Sequence, residues 1–319
     1  MLTRRTVLAG LGAVSILPRT ASAGNYPERS LTLVVAYAAG GASDINARLQ
    51  AKYLQQVIGV PVLIENVPGA GGLVAMKRVL ADNDDHTLLS ANSGMFIVLP
   101  HTNDSMDKNP AEQFTAVAKT RSFPTYLVVR KDSPYQTWED LLSAAKANPG
   151  KLTYGSAGEG SSYHIAMAQL EKAAGLELVH VPYTGSAATT DLLSGRIDMA
   201  PMVPSGLAGH EEQLMPILNI DMTRTELRPE IRSATDVELE NVTDFGWGAI
   251  YVAASVGAEK VKVLEDAFDK LNQILEYREA MLSMDTIPEF VPGKEWTALV
   301  AKQYDQMGGI LTDLNLKMK

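Results

Sequence analysis

Cysteine is absent from the 319 residues. Disulfides, thiolate nucleophiles and cysteine-held zinc are therefore excluded, and the fold has to be held by its apolar core. Long apolar runs are missing too: beyond the N-terminus no segment approaches the ~18 unbroken apolar residues of a membrane-spanning helix. Positive charge is in deficit, with 28 Lys and Arg against 37 Asp and Glu and a net charge of −9. That balance argues against nucleic acid or an anionic membrane surface as partner. Signatures of catalysis are lacking as well. No G-x-S-x-G nucleophile elbow occurs, although Ser161, Ser162 and His164 lie close together in sequence. The five histidines, at 86, 101, 164, 180 and 210, show no H-E-x-x-H or comparable metal spacing. The run AGEGSS at 157–162 lacks the third glycine of a dinucleotide fingerprint. Neither a cofactor nor a metal is expected, and a binding protein is favoured over an enzyme.

What is present begins with an export signal. MLTRRTVLAGLGAVSILPRTASA places Arg4 and Arg5 before an apolar stretch from Val7 to Leu17 and ends in Ala21-Ser22-Ala23. A basic start, a short apolar centre and an A-x-A site predict cleavage after residue 23. Both ordinary secretion and a twin-arginine route fit the Arg4-Arg5 pair. Without Arg4, Arg5 and Arg19 the charge falls from −9 to −12. An anionic ligand would then be held by local geometry rather than by overall attraction. With 46% apolar residues, the remaining chain can bury cores for two domains.

Strand-like and helix-like stretches alternate along that chain. SLTLVVAY is followed by DINARLQAKYLQQVIG, where Ile45, Leu49, Tyr53 and Val57 recur every four residues and predict a helix. PVLIEN, a helix from Leu73 to Ala81, HTLLSAN, FTAVAKT, TYLVVRK and a helix TWEDLLSAAKANPG continue the series. KLTYGS then starts the same grammar again, through a helix YHIAMAQLEKAAG, a strand ELVHVPY, a helix SAATTDLLSG and a strand RIDMAPMV. A strand FGWGAIYVAA and the helices AEKVKVLEDAFDKLNQILE and GKEWTALVAKQYDQMGGIL close the chain. Such alternation predicts an α/β fold with parallel sheets and crossover helices. One βα run completes near residue 123 and a second near 244, and the remainder can rejoin the first. The expected division is lobe 1 from 24–123 and 245–319 and lobe 2 from 124–244, joined by two crossings with a cleft between them. Ligands of open α/β sheets sit at the carboxyl ends of strands. Those ends carry AAGGASD at 38–44, SAGEGSSYH at 156–164 and YTGSA at 183–187. Glycines there permit tight turns, and the helix starts that follow offer unpaired amides that suit an anion.

The spans YPERSLTLVVAYAAGGASDINARLQA, VLIENVPGAGG, PGKLTYGSAGEGSSYHIA and LVHVPYTGSAATTDLLSGRID closely resemble the Bug family, the periplasmic solute-binding receptors of tripartite tricarboxylate transporters. The similarity runs in order over nearly all of the chain beyond the signal. It implies a periplasmic-binding-protein type II (Venus flytrap) fold of two Rossmann-like lobes that closes on a small organic carboxylate. It also implies a monomeric receptor in the periplasm that delivers its ligand to a membrane permease of one large and one small subunit, or presents it to a membrane sensor. Two departures bear on the ligand. Where family members carry PFPPGG, this chain has Ala36-Tyr37-Ala38-Ala39-Gly40-Gly41, with Tyr37 in place of a phenylalanine. After Val181-Pro182-Tyr183 the usual lysine is Thr184.

Gly40, Gly41, Gly158, Gly160, Ser161 and Ser162 are the candidate anion-holding groups, with Tyr37, Ala39 and Ser156 beside them. Ser161 and Ser162 also read as N-caps. Asp44 either stabilises the first turn of its own helix or accepts from a ligand hydroxyl or amine. His164 is either a structural donor or a ligand contact. Tyr183, Thr184, Gly185 and Ser186 form the next strand-to-helix loop, where the family resemblance favours ligand contact. Asp198 either lines the cleft or caps a loop, and Ser93 and Gly94 are expected near the cleft floor or hinge. PGAGG at 68–72 reads as a structural turn. Because most of these donors are neutral, a mono- or dicarboxylate is expected to bind better than citrate. Arg48 and Arg121 are the cations to consider if citrate is preferred.

Overall fold

Strands form where aliphatic and β-branched residues run together. In chain order they are β1 (Leu31–Val35), β2 (Val62–Asn66), β3 (Thr87–Asn92), β4 (Phe114–Ser122), β5 (Tyr126–Arg130), β6 (Thr153–Ser156), β7 (Val179–Pro182), β8 (Met199–Met202), β9 (Leu214–Asn219), β10 (Trp247–Ala253) and β11 (Ile287–Pro292). The structure is a computed structural model that describes residues 26–103, 109–183, 187–222, 224–240, 242 and 246–313. The export signal and the predicted contacts Thr184, Gly185 and Ser186 lie outside the described residues.

Two sheets result, with the orders β11-β4-β10-β3-β1-β2 and β7-β6-β8-β5-β9. Both follow one plan. In the first, β1 pairs in parallel with β2 and β3, and β10 lies antiparallel between β3 and β4. In the second, β6 pairs in parallel with β7 and β8, and β5 lies antiparallel between β8 and β9. Edge strand β11 is also antiparallel to β4, and in each sheet one antiparallel strand, β10 in the first and β5 in the second, has just arrived from the other sheet. It enters at the end facing the partner lobe and so runs against strands whose carboxyl ends point there. This corrects the expectation of wholly parallel sheets while keeping the two-lobed type II architecture.

The chain passes between the lobes at 123–125 and again between β9 and β10, and the two passages are tied together. Phe123 N–H donates to the Gly246 carbonyl at 2.8 Å, and Ile220 N–H to the Thr125 carbonyl at 2.8 Å. Thr125 N–H donates to an Asp221 carboxylate oxygen at 2.9 Å. At Gly246 a Cβ would collide with the Phe123 carbonyl, so the approach requires glycine.

Helix Ala42–Ile58 forms where predicted, but it presents a different face to the sheet. Ala47, Gln50, Ala51 and Leu54 are buried, whereas Leu49, Tyr53 and Val57 pack at the margin and Ile45 is 47% exposed. Two alanines on the sheet side let the helix sit close, which rotates the larger apolar residues toward the neighbouring helix Ala258–Asn272. That neighbour is shorter than predicted. The chain turns extended at Ile274 and resumes as helix Leu275–Leu282. Strand β11 escapes the sequence pattern because Pro288 and Pro292 interrupt it. Both are tolerated because β11 is an edge strand paired irregularly with β4. A π-helical turn, Gly94–Val98, and a short helix, Leu99–Thr102, follow β3 and were also not predicted. The C-terminal helix Gly293–Asp313 packs on β4 and reaches helix Ser162–Ala174 of the second lobe. One apolar core therefore runs continuously from the first lobe into the second. No helix of the described residues is long and apolar enough to cross a membrane.

Replacing Gly246 by alanine should push the Phe123 carbonyl aside and separate the two passages. The expected cost is about 1–3 kcal/mol, as for other overpacked sites, measured as a lower midpoint in urea. An unchanged midpoint would show that the passages have room to part.

Candidate functional site

A cavity of about 350 Å³ opens between the lobes. The first lobe contributes Tyr37, Gly71, Asn92, Ser93, Gly94, Val98, Leu99 and Thr102; the passages contribute Phe123, Thr125 and Gly246; the second lobe contributes Gly160, Ser162, Tyr163 and Val203. None of these fifteen side chains is charged. Five of the predicted site residues, Tyr37, Ser93, Gly94, Gly160 and Ser162, meet here from opposite lobes. The volume suits a small organic molecule.

On the first-lobe side the glycine loop is fixed by Asp44. This side chain is 2% exposed. It accepts from Arg48 Nε at 2.9 Å, from the Gly40 amide at 2.8 Å and from Asn66 Nδ2 at 3.0 Å. Arg48, then the Gly40 amide and Asn66, hold its carboxyl at about 2. Asp44 therefore carries the role within its own loop, the Gly40 amide is committed to it, and the exposed Arg48 is neutralised by it. Gly41 precedes the helix with ordinary extended backbone and no side-chain cap. Ala39, Gly40 and Gly41 sit exposed at the cavity rim rather than in its wall. Tyr37 does reach the wall, where Asn92 Nδ2 donates to its hydroxyl at 2.7 Å.

The second-lobe loop is organised by two stacked imidazoles. His164 and His180 lie 3.9 Å apart and nearly parallel. The Gly160 amide donates to His164 Nδ1 at 3.1 Å, which places that ring's proton on Nε2. Ser156 donates to the Gly158 carbonyl at 3.0 Å, so its oxygen accepts from His180 Nε2 at 2.7 Å. Ser161 caps helix Ser162–Ala174 by accepting from the His164 amide at 3.2 Å. Ser156, Gly158, Ser161 and His164 thus support the loop from beneath, and Gly160 and Ser162 face the cavity. Burial pushes His164 down, and burial followed by the neighbouring His164 pushes His180 down to about 4.

The remaining predicted residues lie elsewhere. Tyr183 turns back to donate to Asp191 at 2.8 Å. Asp198 accepts from the Thr153 amide and hydroxyl at 2.8 Å, at the end of the second sheet remote from the cavity. Of the PGAGG turn, Gly72 is packed so closely that a Cβ would stand 2.6 Å from Met95 Cγ, while Gly71 reaches the cavity wall. Asn92, Thr102, Phe123, Thr125 and Tyr163 line the cavity without having been singled out. A polar turn directly after a predicted strand, as in Asn92-Ser93-Gly94, was the available signal for the first of them. A larger cavity, of about 640 Å³, lies on the other side of the passages and shares Phe123 and Gly246 with the first. Neither glycine loop reaches it. Among the described residues Asp84, Asp85 and His86 are the one group close enough to share a metal ion. Arg29 and Lys260 already occupy its carboxylates.

Residues 46–316 match the sequence profile of the tripartite tricarboxylate transporter family receptor. A UPF0065 protein from the gbd 5′ region of Cupriavidus necator is 28% identical over 313 residues, covering 98% of this chain and 94% of its own length. A TctC solute-binding protein from Polaromonas, solved without ligand, superposes with a TM-score of 0.81 at 22% identity over 90% of this chain and 99% of that one. An R. palustris protein with adipate gives a TM-score of 0.73 at 22% identity, covering 91% and 98%. MatC from Rhodopseudomonas palustris with bound malate gives 0.69 at 23%, covering 90% and 100%. At these identities the structural likeness establishes the fold alone.

The stacked histidines make stability pH-dependent. A histidine in the unfolded chain titrates near ~6.5, above the value held in the folded loop, so acid protonates the unfolded chain first. Their contribution should be complete above about pH 6.5 and be lost progressively as pH falls toward 4. Urea midpoints at pH 7, 6 and 5 should fall more steeply for the wild type than for His180→Phe. Equal slopes would mean that the pair does not titrate in this window.

Proposed function

The chain belongs to the tripartite tricarboxylate transporter receptor family, and on that premise we propose that this solute-binding receptor captures a small organic carboxylate between its lobes and delivers it to a tripartite tricarboxylate-type permease. The reading is carried by one observation: neutral hydrogen-bonding groups from both lobes converge on a cavity of molecular size. Tyr37 and Asn92 offer donors on one side, and Ser162 with the first amides of its helix offers them on the other. That spacing suits a ligand with a carboxylate at one end and a second polar group at the other. The adipate- and malate-bound proteins of the same fold support a dicarboxylate. Residues 24–123 and 245–319 form one closing body and 124–244 the other, and the two passages bend between them. The receptor works in the periplasm, exported by the signal of residues 1–23, and its closed outer face is what the two permease subunits read.

A thermal-shift panel of acetate, benzoate, succinate, malate, glutarate, adipate and citrate tests this. At least one mono- or dicarboxylate should raise the melting temperature. The stabilisation is about 2.7 kcal/mol at a hundredfold excess over the dissociation constant. Citrate should bind more weakly, because a wall of neutral groups leaves its additional charges uncompensated. A panel without any shift, together with unchanged small-angle scattering, would refute capture of a carboxylate.

The two glycine loops should respond differently to bulk. Gly160 has φ +68° and lines the cavity, so Gly160→Val should abolish binding. Gly41 has φ −80° and its nearest obstruction is the Ala38 carbonyl at 3.4 Å, so Gly41→Val should fold and keep most of its affinity. Calorimetric titration of both variants with the panel's best carboxylate separates them. Equal losses would place the rim glycine in the wall.

A further inference from the structure

Among the described residues Arg121 is a cation buried without an anion. It is the penultimate residue of β4, at the end of the sheet that faces the other lobe, and is 4% exposed. Among the described residues eight other arginines, at or near the surface, each face a carboxylate. Arg121 faces none. Its Nη2 donates a long hydrogen bond to Ser90 Oγ at 3.4 Å, and its Nη1 has no partner. Among the described residues the ionisable groups that act on its charge are two tyrosines, Tyr277 and Tyr37, and no carboxylate. Such a charge stays on the guanidinium even when buried, and leaving it uncompensated is costly.

The surrounding chain is shaped to hold it there. Gly248 of β10 pairs with Arg121 on one side and with Asn92 on the other. A Cβ at Gly248 would collide with Arg121 Cζ and Nε, so the guanidinium crosses directly over that glycine toward Ser90 of β3. This brings the charge beside the strand ends that build the cavity wall. Asn92 lies in that wall and donates to the Tyr37 hydroxyl, and Phe123 of the wall follows Arg121 by two residues.

We propose that Arg121 is the fixed counter-charge for the anion bound between the lobes, acting from behind the Tyr37–Asn92 pair and making the receptor select a carboxylate over its neutral amide. The inference rests on the carboxylate reading above. It assigns the first-lobe end of the cavity to one carboxylate and leaves the second-lobe end to the neutral helix-start amide and hydroxyl of Ser162. One carboxylate is compensated by a full charge, and further ones are not. In the empty receptor the charge is unmatched, so the cation is already in place when the anion arrives.

Calorimetric titration with succinate, malate, glutarate and adipate, and with the corresponding diamides, tests this on wild type, Arg121→Met, Arg121→Gln and Arg121→Lys. Wild type should bind at least one diacid and reject its diamide. Arg121→Met should weaken that diacid roughly 30-fold or more and lose the discrimination, while Arg121→Lys keeps part of both. Arg121→Gln, which retains a donor for Ser90 without the charge, should behave as Arg121→Met and makes the test independent of how methionine packs. Without ligand, both neutral variants should melt no lower than wild type, because an unpaired buried charge has been removed. If wild type binds diacid and diamide alike, or binds neither these diacids nor any monocarboxylate of the thermal-shift panel, the carboxylate reading falls and takes this inference with it; if it binds only monocarboxylates, this inference falls alone. If wild type selects the diacid and the neutral variants bind it as tightly and as selectively, the inference alone is overturned.

Discussion

At the junction of the lobes two stretches of chain must lie against each other with no side chain between them. Gly246 meets the Phe123 carbonyl there, and two residues later Gly248 meets the Arg121 guanidinium. Because both positions are glycine, β10 can slip between β3 and β4 and run antiparallel to each. That insertion puts Phe123, Thr125 and Gly246 at the back of the interlobe cavity. It also carries the chain back to the first lobe, where helix Gly293–Asp313 extends the core toward the second. Cavity, passages and shared core all follow from one close backbone approach.

The two lobes solve the same problem, a glycine-rich turn between strand and helix, with different chemistry. In the first, a charged network of Asp44, Arg48 and Asn66 holds the loop, and Asp44 occupies an amide that would otherwise be free. In the second, neutral imidazoles and Ser156 do so, and His164 occupies the Gly160 amide. The first-lobe loop can carry a buried carboxylate because Arg48, the Gly40 amide and Asn66 pair it. The histidine pair, with His164 buried and His180 partly so, stays neutral because a charge there would face both desolvation and its neighbour. Neither arrangement presents a charge to the cavity, so the ligand meets hydrogen-bond donors first.

Much of this was legible in the sequence, and its limits have physical causes. Strand–glycine–helix punctuation marked the strand ends that face the cleft, and the repeat of that grammar marked two lobes. Which amides stay available was not legible, because Asp44 and His164 each reach back four residues to occupy one. That competition depends on rotamers rather than spacing. Asp198, read as lining the cleft or capping a loop, comes just before its strand instead of just after it and so falls at the far end of the sheet. Strand β11 was hidden by its prolines, which only an edge position tolerates. Arg121 closes a strand as many surface arginines do. Only the register that sets it against Gly248 shows that its side chain turns inward.

The acidic character of the protein and a preference for anions are compatible because they act over different distances. Charges spread over the surface are screened by salt beyond about 8–10 Å, so the net −12 expected after signal removal opposes an approaching anion only weakly. Inside the cavity water is displaced, and a single fixed charge there is felt far more strongly than the same charge in solvent. Several carboxylates elsewhere on the chain are neutralised locally, as Asp44 is by Arg48 and Asp84 by Arg29. Arg121 has no such local partner. Among the described residues this buried positive charge is left unbalanced, and it sits behind a neutral wall that admits the ligand by shape and hydrogen bonding before charge decides whether it stays.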